Sequence, residues 1–407
     1  MQGDNGHKRL ALAQLINAQK PAIFDWPRLG TLPHPIGATP ALRAGLRWSG
    51  EKVYSQFPGA ASYLPLIYAP QAIAIAIGEL LHATVEDSVL AARVANGATA
   101  GMIVFLCLAY APYGRNLLLL LLLLPESLSQ FASNSADPML LAITLAVVVF
   151  VARSMNGGVI LKGRHFVMMS LCLLVLIGAH PPMLAIALLP LWAAWRCRDR
   201  GALILLSASV LVALLWFFVV HPQIIDPRCG PTGTLMSKGL AFLRVGPLLV
   251  ARSVWWHPGY YFEGFVGYLG WGNAPIMSLV GGALPEWLYW CALMMLFLAA
   301  FLDIGAAQVG PSGYRWLSLA ACFGSCLAIF FAMYAICTTP SALEITGMQG
   351  RYLIDPLLIA IPAVSGLVRR PRNIAWVGEL YTAVLFIYCS ASFAVLLSGG
   401  LRIYWIR

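Results

Sequence analysis

Charged residues are scarce in this chain: Asp, Glu, Lys and Arg make up 10% of its 407 residues, whereas 60% are hydrophobic. The apolar runs lack the polar face that a surface helix of a water-soluble protein needs. They also lack the period-two alternation of membrane-barrel strands. The runs lie at 117–124, 139–152, 166–179, 183–195, 202–220, 287–302, 316–337 and 376–397. The composition therefore excludes a water-soluble protein and predicts α-helices that cross a membrane.

Several common functional motifs are also missing. The sequence has no Walker phosphate loop, dinucleotide-binding fingerprint or HExxH zinc motif. Its nine cysteines lie mostly inside apolar runs and show neither metal-ligand spacing nor a disulfide framework. The charged first residues are followed by no apolar core, so we expect the chain to begin outside the membrane. Because the phosphate loop and the dinucleotide-binding fingerprint are missing, the sequence gives no support for a nucleotide sugar as a direct sugar donor.

The basic residues are concentrated in short gaps between the apolar runs, although the formal net charge is +10. Short loops rich in Lys and Arg stay in the cytoplasm, which explains this charge better than nucleic-acid binding does. Most of the 16 acidic residues then fall on the outer side, where we expect the chemistry. The gaps contain Arg153, Lys162 and Arg164, then Arg196, Arg198 and Arg200, and finally Arg369, Arg370 and Arg372.

This charge map predicts an all-α, polytopic protein with about ten membrane helices and large extracytoplasmic loops. Residues 1–91 form the first outer loop, in which 64–81 is a re-entrant or interfacial helix or, alternatively, a full span. Residues 92–220 form transmembrane helices, 221–285 an aromatic-rich outer loop, and 286–407 the C-terminal transmembrane helices. Short runs such as 139–152 predict tilted or broken helices.

Six sequence blocks follow one another along the chain. They are DNGHKR (4–9), SYLPLIYAP (62–70), LAARVANG (90–97), PESLSQFASNSAD (125–137), GFVGYLGW (264–271) and GMQGRYLIDP (347–356). In this order they resemble the bacterial membrane proteins grouped as domain of unknown function 2142. That family looks like a branch of the GT-C superfamily of glycosyltransferases, which use polyprenyl-phosphate sugars. The resemblance covers nearly the whole chain.

The resemblance implies catalytic roles for Asp4 in the first outer loop and Asp137 in the next. His7 matches a histidine after the first acidic residue, and we assign it to substrate binding. Asn5 stands where the superfamily often has a second carboxylate, which weakens a two-carboxylate or metal role. The superfamily's first helix has no counterpart, so we expect an N-terminal truncation or a start at an internal methionine.

The resemblance also implies that Arg351, with Arg93 as a second candidate, binds the donor phosphate. Gln349 and Tyr352 flank Arg351 and are predicted to bind substrate. In the aromatic-rich outer loop His257, Glu263 and Trp271 are predicted to contact the sugar, although aromatic residues there also suit a membrane-interface belt. Transfer from a lipid phosphate needs a carboxylate as base and cations on the phosphate.

Each of these residues also has an ordinary structural interpretation. Asp4 suits a frayed terminus, and Arg93 or Arg351 suits a side chain that extends to lipid headgroups. Asp137 before Pro138 suits a helix N-cap. The sequence His180-Pro181-Pro182 is typical of a helix end, because proline cannot continue the hydrogen-bond ladder.

The resemblance predicts a glycosyltransferase of the bacterial inner membrane, active on the extracytoplasmic side in assembling a surface polysaccharide or lipid-linked glycan. Its partners are the bilayer, a polyprenyl-phosphate sugar and a glycan acceptor, with no nucleic acid. No cofactor is specified, and a divalent metal stays open. The alternatives are a transporter or flippase for lipid-linked glycans and an inactive truncated homologue. A transporter predicts mid-membrane charges and internal repeats, neither of which is apparent in the sequence.

Overall fold

The computed structural model describes 7–9, 47–48, 52–54, 62–156, 163–220, 235–267, 284–302, 312–338, 342–345, 347–365 and 375–404. This part of the chain is almost entirely helical. Two three-residue strands, β1 (His7–Arg9) and β2 (Lys52–Tyr54), pair antiparallel with His7 opposite Tyr54. The expectation of a helical protein is therefore confirmed.

Fourteen α-helices lie in the described residues, and 3-10 turns at Pro65–Tyr68, Pro181–Ala187 and Gly350–Leu353 lead into three of them. In chain order they are α1 (Ala69–Leu80), α2 (Val85–Tyr110), α3 (Arg115–Leu122), α4 (Pro125–Phe131), α5 (Asp137–Met155), α6 (Gly163–Ala179), α7 (Leu188–Arg196), α8 (Arg200–Val220), α9 (Leu235–Trp256), α10 (Pro258–Val266), α11 (Glu286–Leu302), α12 (Ser312–Cys337), α13 (Ile354–Val364) and α14 (Ala375–Tyr404).

Four described helices are long and apolar enough to cross a membrane: α2, α5, α8 and the Gly313–Ala335 part of α12. Shorter apolar helices occur at Pro65–Leu80, Gly163–Ala179, Glu286–Ala300 and Glu379–Val395. A membrane protein with several apolar helices is therefore confirmed. The total of about ten spans stays a prediction.

The eight consecutive leucines differ from the expectation of a membrane-crossing helix. The first six of them lie in the short helix α3, which ends at Leu122, and Leu118, Leu120 and Leu124 are buried. Leu124 is extended because the residue before a proline, here Pro125, avoids the α region. Eight residues rise about 12 Å, whereas the hydrocarbon core is about 30 Å thick. The run therefore packs as core between neighbouring helices.

Helices α2 and α5 run side by side in the same direction and define two ends of the bundle. At the polar end, where α5 begins, Asn96 of α2 donates a hydrogen bond to the Ser135 carbonyl (3.0 Å). At the basic end, where α5 finishes, Arg153 donates to the Tyr110 carbonyl (3.1 Å). Along α5, Arg153 lies about 24 Å from Asp137. The arginines and the acidic loop before Asp137 are thus well separated.

Two apolar clusters fix the helices. The larger contains most buried residues of α3, α5 and α6. The smaller joins α9, α10 and the final turns of α12 to the segment before Gly350, with Tyr261, Phe330 and Met348 among its buried members. The Ile345 amide also donates to Ser253 Oγ (2.8 Å). This second cluster holds the GMQGRYLIDP block against the polar end of the bundle.

Candidate functional site at the polar end

The sequence blocks around 62–70, 90–97, 125–137, 264–267 and 347–356 meet at the polar end. The loop before Asp137 is held by α2. Asn96 is fully buried and donates to the carbonyls of Ser133 and Ser135, each at 3.0 Å. Next to it, a Cβ on Gly97 would lie 2.6 Å from the Phe131 carbonyl oxygen. The LAARVANG block thus provides both the polar anchor and the close backbone approach that position the acidic loop.

Two further glycines permit close packing at this end. Gly267 has φ +134°, and a Cβ there would lie 2.5 Å from the Glu126 amide nitrogen. A Cβ on Gly350 would overlap the Tyr261 carbonyl oxygen. Because both clashes are with backbone atoms, no side-chain rearrangement could relieve them. Gly267 thus brings the end of α10 onto the start of α4, and Gly350 brings the Gly350–Leu353 turn onto α10.

Three charged groups face one another at this end: Glu126 on α4, Asp137 on α5 and Arg351 in the turn before α13. Asp355, in the first turn of α13, also faces Asp137. We call these four residues the carboxylate cluster. Glu126 is only 1% exposed, and Asp137 accepts a hydrogen bond from Ser135 Oγ (3.1 Å). The half-buried Arg351 guanidinium thus lies near two of the three carboxyl groups, those of Glu126 and Asp137.

Burial changes the proton affinity of Glu126. Removal of the carboxyl from water raises its pKa to about 7; Arg351 partly opposes this shift, and the Asp137 charge adds to it. For Arg351, burial disfavours the charged form, but Tyr352, Asp137 and Glu126 outweigh burial and raise its pKa. Arg351 therefore stays charged, whereas Glu126 exchanges a proton near neutral pH.

The cluster retains unused hydrogen-bonding capacity. Within the described residues, Glu126 Oε2, Arg351 Nε and Asp355 Oδ1 are buried without a hydrogen-bond partner. The Arg351 guanidinium carbon lies 5.3 Å from the centre of the Tyr352 ring. A buried unpaired polar atom costs about 1–3 kcal/mol. This end of the bundle therefore has polar atoms available to bind polar groups of another molecule.

Tyrosines and a histidine surround the cluster. Tyr63 and Tyr68 stack with ring centres 6.4 Å apart, and burial, with a smaller contribution from Asp137, raises the pKa of Tyr63. The adjacent Leu64 amide donates to the Gly178 carbonyl near the end of α6 (3.0 Å). Burial lowers the pKa of His180 to about 4, although Asp137 favours its charged form. His180 is therefore neutral at physiological pH.

The family model of predicted membrane proteins DUF2142 matches residues 42–361. The chain belongs to this family. The match includes every sequence block except the one at 4–9, and it spans all the residues of the carboxylate cluster. No curated protein and no solved structure matches the chain.

In this DUF2142 protein the structure brings together Asp137, Arg351 and Tyr352 from the predicted site. Gln349 is nearby and half-buried, and its Oε1 has no hydrogen-bond partner among the described residues. Arg93 lies apart, on an exposed part of α2, and Asn96 instead makes the contact from that block. The predicted grouping is thus present in part.

The remaining predicted residues are more distant or lie outside the description. His257 pairs with Glu344 at 2.9 Å and is exposed. Glu263 on α10 acts electrostatically on Tyr289, which also faces Glu126. Asp4 and Trp271 lie outside the described residues. For His7, which lies in β1, only the backbone is described.

Sequence reasoning missed several members of this DUF2142 site. Glu126 lies in the first turn of α4, where an acidic residue reads as a helix-dipole partner. Asp355 stands before Pro356 and reads in the same way. His180 does end a helix as predicted, but its contact with Asp137 depends on tertiary packing. One feature of the sequence did point to Glu126 and Asp355: both lie inside the sequence blocks that the family resemblance singled out.

Metal ligation has no support in the described part of the chain. No group of three or more His, Cys, Asp or Glu side chains there is placed to hold a metal ion. Arg351 lies near Glu126 and Asp137, where its positive charge competes with a cation.

Proposed function

We propose that this protein transfers a sugar from a polyprenyl-phosphate donor to a glycan acceptor on the extracytoplasmic side of the bacterial inner membrane. The observation that carries the proposal is the half-buried Arg351 guanidinium, which lies among carboxyl groups at the polar end of a membrane bundle. A lipid phosphate is the anion most available at such an end. The proposed product is a surface polysaccharide or a lipid-linked glycan.

Arg351 is assigned to the phosphate of the donor. Its Nε is buried and has no hydrogen-bond partner within the described chain. A guanidinium can donate two parallel hydrogen bonds to phosphate oxygens, and such charge-assisted bonds are strong. As the sugar leaves, the phosphate regains negative charge, which a fixed cation stabilises. Arg93 remains a second candidate through the family resemblance alone.

Asp137 is assigned as a carboxylate that accepts the proton of the acceptor hydroxyl, and Asp4 shares this assignment through the resemblance. Arg351 is a cation that interacts with Asp137. Glu126 takes up or releases a proton near neutral pH, which suits a group that removes the proton from Asp137 after transfer. His7, His257, Glu263, Trp271, Gln349 and Tyr352 are assigned to the sugar and acceptor.

Donor binding tests the role of Arg351. The full chain, purified in lipid nanodiscs, is titrated with a polyprenyl-phosphate analogue. Arg351→Lys keeps the charge but loses the planar fork, so we expect partial binding; Arg351→Ala should bind about tenfold or more weakly. Arg244→Ala, an exposed arginine on α9, is the matched control. If Arg351→Ala binds like the wild type, the arginine is only a topological anchor and the proposal fails.

Sugar transfer tests the carboxylates. Asp137→Asn and Asp4→Asn preserve shape but remove the base, so each assigned base should lose about a hundredfold in transfer rate. Glu86→Gln, an exposed carboxylate in the first turn of α2, should leave the rate unchanged. Undiminished transfer by both Asp variants would remove proton transfer to these carboxylates from the mechanism.

A flippase or transporter of lipid-linked glycans is the second candidate, and broken helices favour it. The leucine run breaks before Pro125, and α6 gives way to the 3-10 turn Pro181–Ala187 beside His180. Discontinuous helices near buried charges are typical of transporter substrate sites. In sealed vesicles without an acceptor, a flippase moves the labelled lipid between leaflets, whereas a glycosyltransferase leaves its distribution unchanged.

A further inference from the structure

The basic end of the bundle collects arginines around the loop that follows α2. Arg115 donates to the carbonyls of Ala111 (Nε, 2.8 Å) and Ala109 (3.2 Å). Arg153 donates to the Tyr110 carbonyl at 3.1 Å. Cations at a helix C-terminus are favourable because the last carbonyls and the helix dipole are negative there. Main-chain carbonyls at and after the end of α2 therefore hold these two arginines.

Two more arginines lie beside an aromatic stack at the same end. The Arg196 guanidinium lies 5.5 Å from the centre of the Trp192 ring, and Trp192 stacks on Tyr314 at 6.0 Å with planes 17° apart. Tyr314 is fully buried in the first turn of α12. Arg315 follows it and faces Tyr113. We call Tyr113, Trp192, Arg196, Tyr314 and Arg315 the arginine pocket.

The arginine pocket has polar groups that the described part of the chain does not satisfy. Tyr113 is 3% exposed and Tyr314 is 0% exposed, and their hydroxyls face each other with no further hydrogen-bond partner among the described residues. The Tyr113 and Tyr314 side chains adjoin, and two facing hydroxyls can use only one of their protons between them. Arg315 Nε is also buried without a partner. At least two donors therefore await an acceptor.

The chemistry of the site favours an anion, because the unmet groups are donors next to two guanidiniums. Within the described chain, no carboxylate forms an ion pair with Arg196 or Arg315. Two exposed tryptophans flank the pocket: Trp195 is 66% exposed and Trp316 is 72% exposed. Exposed tryptophans at helix ends mark the membrane–water interface, which is the level of lipid phosphates. The anion is therefore expected to be part of a lipid.

We propose that the arginine pocket binds the phosphate of an acidic phospholipid such as phosphatidylglycerol. Arg315 and Arg196 neutralise the phosphate, and a tyrosine hydroxyl donates to one of its oxygens. The acyl chains then run along the membrane-facing side of α12. This site lies at the opposite end of the bundle from the carboxylate cluster and does not depend on the proposed glycosyltransferase activity. Basic pockets between membrane helices are suited to such headgroups.

The test is a titration of the delipidated full chain, in a non-ionic detergent, with short-chain phosphatidylglycerol. Arg315→Ala and Arg196→Ala should each weaken binding about fivefold to tenfold. Tyr314→Phe removes only the hydroxyl and should weaken binding a few-fold. Arg164→Ala, an exposed arginine at the same end on α6, is the matched control and should bind like the wild type.

Two parallel titrations identify the source of the phosphate. Phosphatidylcholine of the same chain length and inorganic phosphate should both bind at least about tenfold more weakly than phosphatidylglycerol. Inorganic phosphate binding as tightly as the lipid would overturn the proposal of a lipid site. Equal phosphatidylglycerol binding by the wild type, Arg196→Ala and Tyr314→Phe would show that the arginine pocket is not the binding site and would refute the proposal. Because Arg196 is exposed and Phe replaces Tyr without loss of the ring, these two variants preserve the fold.

Discussion

Replacing Glu126 by glutamine should change how the stability of the protein depends on pH. Burial raises the pKa of Glu126 from 4.5 to about 7, despite the opposing effect of Arg351. Each pKa unit corresponds to 1.36 kcal/mol. Keeping this carboxyl ionised in the folded protein therefore costs about 3 kcal/mol relative to the unfolded chain. Glutamine has nearly the same shape and no proton to lose.

The sign follows from proton binding. Between pH 4.5 and 7 the folded protein holds a proton on Glu126, whereas the unfolded chain has released it. The free energy of unfolding therefore falls as pH rises through this window, and Glu126 contributes no further change above it. The free energy of unfolding of the wild type should therefore fall by about 3 kcal/mol across this window because of Glu126. Glu126→Gln should not show this decrease.

Thermal and denaturant unfolding of the purified chain in neutral detergent, at pH values from 4.5 to 8, measure this difference. A change of about 3 kcal/mol corresponds to a few degrees in the unfolding midpoint. Glu86→Gln, at an exposed glutamate, should retain the wild-type pH dependence. Parallel pH curves for the wild type and Glu126→Gln would refute the reasoning.

Three further predictions concern packing, positioning and orientation. Gly350→Ala should destabilise the fold by about 3 kcal/mol or more through a backbone clash, whereas Gly101→Ala, with nothing within 4 Å, should be neutral or stabilising in unfolding assays. Asn96→Leu should cost about 2–3 kcal/mol of unfolding free energy; an unchanged value would exclude the anchor role. With other cysteines removed, a membrane-impermeant thiol reagent should label Leu343→Cys in intact cells but not the native, exposed Cys197; reversed labelling would invert the orientation.

Hydropathy predicted the membrane class and the long helices well, because lipid contact demands sustained apolar sequence. Helices α8 and α12 occupy the runs 202–220 and 316–337 expected of them. Hydropathy could not predict the fate of the leucine run, since lipid and a packed protein interior are equally apolar. Only the proline rule at Leu124 and Pro125 indicated where the helix would break.

The candidate site was predictable where residues lie in the sequence blocks and carry a full charge. Asp137 and Arg351 meet because α5 and α13 begin at the same end of the bundle. The contribution of Glu126 was not predictable, because its raised pKa comes from burial by elements distant in sequence. Likewise, Asn96 rather than Arg93 makes the inward contact, which depends on how α2 is rotated about its axis.

The short helix α3 has a consequence for how the protein enters the membrane during synthesis. A helix of eight residues rises only about 12 Å, so the insertion machinery cannot release it into lipid as an independent span. In lipid its terminal amide and carbonyl groups would have no partners. Helix α3 packs mainly against α11 and α13, so it must remain shielded until these later helices are made. Integration of this helix is thus expected to be completed together with the C-terminal helices rather than helix by helix.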